Sequence, residues 1–225
     1  EHIIKVQKHD WKKVIRISSL IHSEAYNLDF QLKNIFCAAE VEAGIKVPVP
    51  MGINITDHIN KDINSLRFLF RRKGLNWIID HEGLEELFHI DPAFFSLILN
   101  NLFHNAYKYS KKDGEISIKT VKTENNLEIL IKDFGTGISK DHLKDIFNSF
   151  ERINLEINSI DSGQGLGLSI VKLLVELLNG QISVESEINT FTEFRLVIPE
   201  MEPTEEGNSD DSENQDFFIE EGSVF

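Results

Sequence analysis

The sequence predicts an α+β fold: a two-layer α/β sandwich with a mixed, mainly antiparallel sheet, preceded by a long helix. Three observations predict it. Four stretches alternate apolar and polar residues with period two: "EISIKTVK" at 115–122, "NLEILIKD" at 126–133, "QISVES" at 181–186 and "FTEFRLVI" at 191–198. Such alternation marks half-buried strands. They come as hairpin pairs, with helical runs kept apart from them, which argues against strict β-α alternation. Residues 11–43 contain no Pro or Gly and repeat apolar residues every seven.

The elements follow in order. Val14, Ile21, Leu28 and Ile35 form one row of the first helix, and Trp11, Ser18, Ala25, Leu32 and Ala39 a second, three residues earlier. That is a coiled-coil seam, which one helix cannot bury alone, so it predicts a partner helix and a dimer. Gly44 stands where a C-terminal cap belongs. "KVPVP" at 46–50 forbids helix and marks a boundary. Asp57 can cap a helix with Ile59, Ile63, Leu66 and Phe70 on one side. "LNWIID" at 75–80 reads as a strand, and Asp91-Pro92 opens the next helix with a capping acid and a first-turn proline. Residues 165–178 form an apolar helix closed by Asn179-Gly180. The organisation is a partial helical dimerisation region (1–45), an α/β domain (46–199) and a tail (200–225).

The 225 residues are 41% hydrophobic and 27% charged, as in globular proteins. No apolar run reaches the roughly 18 residues of a membrane span. The single cysteine, Cys37, excludes an intrachain disulfide framework and fits a reducing, cytoplasmic compartment. The net charge is -14, and ten acids of residues 200–225 supply most of it, leaving about -4 for the body. No basic stripe supports nucleic-acid binding. The tail reads as a solvated linker or terminus. The chain starts at Glu rather than Met, so it reads as part of a longer chain that could itself be membrane-anchored.

Three stretches carry chemistry. In "LNNLFHNAYKYS" (99–110), Leu99, Leu102, Phe103 and Ala106 belong in a core, yet Asn101 and Asn105 sit four apart on one helical face. A buried unpaired amide costs a few kcal/mol, so each must find a protein partner or face a ligand. In "DFGTGIS" (133–139), Asp133 ends a strand beside Gly135 and Gly137. Glycines there let a flat ligand approach the backbone, and a carboxylate can accept from an exocyclic amine such as adenine's. In "SGQGLGLSIV" (162–171), Gly163, Gly165 and Gly167 lead into an apolar helix whose N-terminus suits phosphates. It is neither a dinucleotide fingerprint nor a P-loop, because no βαβ strand precedes it and no Gly-Lys-Ser/Thr follows.

Taken together and in this order, the three resemble the N, G1 and G2 boxes of the ATP-binding fold shared by sensor histidine kinases, DNA gyrase, 90-kilodalton heat-shock chaperones and mismatch-repair ATPases. "IFNSFERI" (146–153) resembles the histidine kinase F box, and the helix ending in "AAEVEAG" resembles the second helix of the kinase dimerisation and phosphotransfer domain. The resemblance implies ATP and Mg²⁺ as cofactors. Asn105 would ligate Mg²⁺, and Asn101 would point at the phosphates or the ion's water. Lys108 would contact phosphate and Tyr109 line the adenine site. Asp133 would take the adenine amine, with Gly135, Gly137 and Ile138 close to the base. Gly163, Gly165, Leu166, Gly167 and Leu168 would border the phosphates at the end of a lid over about 148–164. Arg152 would reach the γ-phosphate, while Phe147 and Phe150 anchor the lid. Hydrolytic relatives resemble one another in carrying Glu at the position of Asn101, and an amide cannot take the proton of an attacking water. The expectation is therefore phosphoryl transfer: a histidine kinase core handing the γ-phosphoryl to a histidine, which relays it to the aspartate of a response-regulator receiver domain.

Residues 1–47 hold no acceptor motif of the commonest histidine kinase families. His9-Asp10 has only the His-acid pair, and His22 lies beside the seam, so the acceptor helix is expected upstream of Glu1. His58, His81, His89, His104 and His142 have no metal-site spacing. Two alternatives remain, an anti-sigma-type serine/threonine kinase on the same fold and a nucleotide-binding interaction module without catalysis.

Overall fold

Residues 11–148 and 166–203 are described in the computed structural model. The first helix, α1 (Trp11–Glu42), ends as its glycine predicts: the Gly44 N–H donates to the Val41 carbonyl and Ile45 N–H to that of Glu40. The proline-rich linker then runs to β1 (Met51–Ile53) and α2 (Ile55–Lys73). The cap of α2 is Asn54, whose side chain accepts from Asp57 N–H. Asp57, expected as the cap, instead sits one turn in, where an acid suits the helix dipole. β2 (Asn76–Glu82) and β3 (Phe88–Ile90) lead into α3 (Pro92–Tyr109). Asp91 caps α3 as expected, accepting from Phe94 N–H at 2.8 Å; its other oxygen accepts from Val49 N–H at 2.8 Å, so one carboxylate fastens the linker to the helix.

β4 (Glu115–Lys122), β5 (Asn126–Asp133), α4 (Gly167–Leu177), β6 (Gln181–Glu187) and β7 (Phe191–Pro199) complete the order. The main sheet runs β2-β4-β5-β7-β6, parallel only between β2 and β4. β1 and β3 pair separately and antiparallel. Neither was expected from sequence, because three residues cannot display an alternation.

Period two decides what each strand contributes. Ile116 and Ile118 on β4, Leu127, Ile129 and Ile131 on β5, and Phe194, Leu196 and Ile198 on β7 point one way and are buried. They meet Leu66, Phe70, Phe95, Leu99, Leu102, Val171 and Leu174 of α2, α3 and α4. The opposite face of the sheet carries cross-strand ion pairs, Lys132 with Glu193 and Arg195 with Glu128. This is the expected two-layer arrangement.

The seam of α1 stays open: Trp11, Ile21, Leu28 and Leu32 are exposed. A second stripe, Ser23, Tyr26, Phe30, Asn34 and Cys37, is turned to the domain, with Ser23, Asn34 and Cys37 buried. His104 of α3 stacks between Phe30 (centroids 4.3 Å, planes 15° apart) and Tyr26 (5.7 Å, 16°).

Candidate functional site

Asp133 is the next inward position of β5 after Ile131, so the alternation that buries three apolar side chains also buries a carboxylate. Its Oδ1 has no hydrogen-bond partner among the described residues. Burial pushes the carboxyl up to about 7, opposed by the charge of Lys73 and the Gly135 N–H. Thr192, in register with Asp133 on β7, is buried on the same side. Its hydroxyl lies 3.1 Å from that of Ser186, and Ser186 Oγ accepts from Ile138 N–H at 2.8 Å. A polar row thus crosses the end of an otherwise apolar sheet face. Thr192 and Ser186 were not singled out from sequence, although period two on β7 already turns Thr192 inward.

The end of α3 closes against the loop after β5. Thr136 N–H donates to the Tyr109 carbonyl at 3.1 Å, and Ser110 bridges to Gly135. A Cβ on Gly135 would lie 2.1 Å from that carbonyl and 2.6 Å from Asp133 Oδ1. Gly137 has φ +62°, and a Cβ there would lie 2.1 Å from the Glu187 carbonyl. Neither position has room for a side chain. Lys73, also not anticipated, donates to the carbonyl of Tyr107 and, at 3.0 Å, to that of Lys108, tying the end of α2 to the end of α3.

Asn101 is buried, and its amide exchanges two hydrogen bonds with Asn34 of α1: Asn34 Nδ2 donates to Asn101 Oδ1 at 3.1 Å, and Asn101 Nδ2 to Asn34 Oδ1 at 2.7 Å. Asn101 Nδ2 also donates to the Leu97 carbonyl at 2.8 Å. Of the two outcomes open at the sequence level, this amide has a protein partner. A Cβ on Gly167 would fall 2.8 Å from Asn101 Oδ1, so the start of α4 rests directly against this amide. Asn105 is partly exposed, and its side chain makes no hydrogen bond among the described residues. Lys108 and Tyr109 are exposed, with the ammonium 5.2 Å from the ring centre. Phe147 meets Phe194 edge-on at 6.4 Å, and Leu166 and Leu168 are half-buried against the core. Phe150, Arg152, Gly163 and Gly165 lie outside the described residues. So does His9, while His22 meets Phe68 edge-on at 6.2 Å.

The donor set fits a purine nucleotide. A buried carboxylate oxygen without a partner among the described residues can accept from an exocyclic amine, and Gly135 keeps a side chain away from it. Among the described residues no cluster of three or more His, Cys, Asp or Glu could hold a metal. A metal here would therefore rely on an amide such as Asn105 and on oxygens of its ligand.

The profile of the histidine kinase-, DNA gyrase B- and HSP90-like ATPases matches residues 90–202. The chain is 31% identical to the sensor histidine kinase YvrG of Bacillus subtilis over 208 residues, covering 87% of this chain and 34% of that protein. It is 37% identical to the sensor protein SrrB of Staphylococcus aureus over 154 residues, 64% of this chain and 26% of that one. The chain thus spans about a third or less of these relatives' length. In three dimensions it resembles the histidine kinase AdeS of Acinetobacter baumannii, with TM-score 0.60 and 18% identity, over 88% of this chain and 87% of that one. At that identity the likeness shows the fold, and the fold is the one the sequence predicted.

Proposed function

The chain belongs to the histidine kinase-, DNA gyrase B- and HSP90-like ATPase family, and from that premise we propose that it is the ATP-binding core of a sensor histidine kinase. The domain binds Mg-ATP. Its γ-phosphoryl passes to a histidine on a helix that pairs with the seam of α1, and from there to a receiver aspartate. The observation that carries the reading is the convergence of three segments distant in sequence. Gly135 abuts the Tyr109 carbonyl and Asp133 Oδ1, an oxygen with no hydrogen-bond partner among the described residues, while Gly167 abuts Asn101 of the same helix as Tyr109.

In this reading Asp133 accepts from the adenine amine, and Gly135, Gly137 and Ile138 border the base. Tyr109 lines its edge. Asn105 holds Mg²⁺, which neutralises phosphate charge. Lys108 reaches the phosphates, with Arg152, Gly163 and Gly165 completing that end and Phe147 and Phe150 anchoring the lid. Asn101 faces the phosphates only when it leaves Asn34. The two named relatives, a sensor histidine kinase and a sensor protein, support the kinase reading, and the uncovered seam of α1 supports a homodimer. No described helix is long and apolar enough to cross a membrane.

The test is affinity for a non-hydrolysable ATP analogue with and without Mg²⁺. Asn105→Ala is expected to weaken binding about tenfold or more with Mg²⁺ and little without it, the loss of one ligand to a charged group. Equal affinity in Mg²⁺ overturns the metal assignment. In a longer chain that carries the acceptor helix, label from γ-labelled Mg-ATP that is acid-labile and base-stable supports the histidine kinase, and acid-stable label replaces it with the serine/threonine alternative.

A further inference from the structure

A second concave surface lies away from the nucleotide site. Arg16, Ser19 and Leu20 of α1 face Phe68, Arg71 and Arg72 of α2 across a groove of about 680 Å³. Its floor is apolar and open, with Leu20 51% and Phe68 46% exposed. None of the three arginines has an ion-pair partner among the described residues. Arg71 and Arg72 stand in the last turn of α2, where the helix dipole favours cations. That accounts for their charge but not for Arg16, which comes from another helix to the same groove. Three guanidiniums without an ion-pair partner among the described residues, set over exposed apolar side chains, are unusual on a body that is acidic overall.

We propose that this groove is the intramolecular docking site of the chain's own acidic tail, residues 204–225, seated through the segment Asp216-Phe217-Phe218-Ile219-Glu220-Glu221. The complementarity is specific in kind. The tail has eight acids and no Lys or Arg, and this segment places three large apolar residues between an acid on one side and two on the other. Phe217, Phe218 and Ile219 cover Leu20 and Phe68, and the flanking carboxylates meet the guanidiniums, whose planar forks suit them.

Reach is sufficient. The tail leaves beside β3, where Met201 N–H donates to the His89 carbonyl. α2 runs alongside α3 in the same direction, because His58 touches Ser96 near the start of α3 and Lys73 touches Tyr107 near its end. The path to the groove is therefore roughly 25 Å along α2 plus the width of one helix. The fourteen residue steps from Pro203 to Phe217 extend to roughly 50 Å. Tethering also raises the effective concentration to about millimolar, so a weak contact suffices. Arg16, Ser19 and Leu20 lie off both seam rows, so a second copy on the seam leaves the groove open. Docking there pins α1 to α2 and thereby holds the helical region against the nucleotide domain.

The experiment uses the full chain with a photo-crosslinking benzoylphenylalanine at Phe218. Cross-links are mapped by mass spectrometry in a mixture of isotopically light and heavy protein. The expected result is cross-linking to residues 16–20 and 68–72 within one chain, falling at least tenfold in Arg16→Glu/Arg71→Glu/Arg72→Glu. Combining that variant with Asp216→Lys/Glu220→Lys/Glu221→Lys should restore it. Should the arginine variant fail to fold by circular dichroism, the tail variant alone carries the same reading, since it should lose the same cross-links. Cross-links elsewhere, light-heavy pairs that place the tail on a second copy, or yields indifferent to charge reversal each overturn the proposal.

Discussion

The two ends of the proposed nucleotide site are built differently. At the sheet end, Asp133 sits at a fixed register position of a central strand, with Gly135 and Gly137 pressed against backbone and one carboxylate oxygen unpartnered. At the helix end, Asn101 is fully engaged, by Asn34 of α1 and by its own helix. The sheet end owes its geometry to the domain alone. The helix end owes part of its geometry to a helix from outside the domain. Base recognition should therefore be insensitive to α1, while the phosphate end should respond to anything that lifts α1 away.

The strongest way to break this comparison is at the sheet end. Asp133→Ala is expected to weaken ATP-analogue binding roughly 10- to 150-fold, the loss of a hydrogen bond to a charged group. The parent's affinity should also fall as pH drops through about 7, where the carboxyl gains its proton. The stability of the ligand-free chain should move oppositely. A carboxyl raised from 3.8 to about 7 binds more protons folded than unfolded, so it favours the fold below about 4 and loses that contribution as pH rises to 7. Asp133→Asn should flatten both profiles in titrations from pH 5 to 8. An unchanged affinity profile would remove Asp133 from base recognition.

The contact between α1 and the domain comes next. Burial lowers the His104 imidazole from 6.5 to about 4. Its folded value is the lower one, so stability is intact above 6.5 and is lost as pH falls toward 4, by about 3 kcal/mol. His104→Phe keeps a ring between Tyr26 and Phe30 and should remove that loss, read as the variant-minus-parent difference in denaturant melts. An equal acid loss in both proteins would mean that the ring is not buried in solution. The smallest effect sharpens the comparison. Asn34→Ala leaves the Asn101 amide short of partners and should cost about 1–2 kcal/mol. Analogue affinity should hold or tighten, and a tenfold weakening would make Asn34 part of the site.

Most of the fold was legible because its signals are local. Alternation gave four of the five long strands with their faces, and Asp91-Pro92 and Gly44 gave helix ends to the residue. The cap at Asn54 was missed because Asp57 offered the same chemistry three residues later. The N, G1 and G2 segments were readable as chemistry, and their convergence was readable only through the family resemblance. The pairing of Asn34 with Asn101 spans 67 residues and leaves no local trace. Yet the stripe of Tyr26, Phe30, Asn34 and Cys37 was visible at helical spacing, and it already said that α1 has two faces to cover. The heptad rows drew attention to only one.

The last strand of the fold, β7, lies inside the sheet between β5 and β6. For a chain emerging from the ribosome, this sets an order of events. The β4-β5 hairpin can form early, but β6 has no neighbour until residues 191–199 are made. Ile198, Leu196 and Phe194 then complete the core in one late step. The domain must therefore wait almost until its final residues before it can close. A chain cut short before β7 would leave β5 as an open edge and β6 without a strand to pair with, both exposed to aggregation.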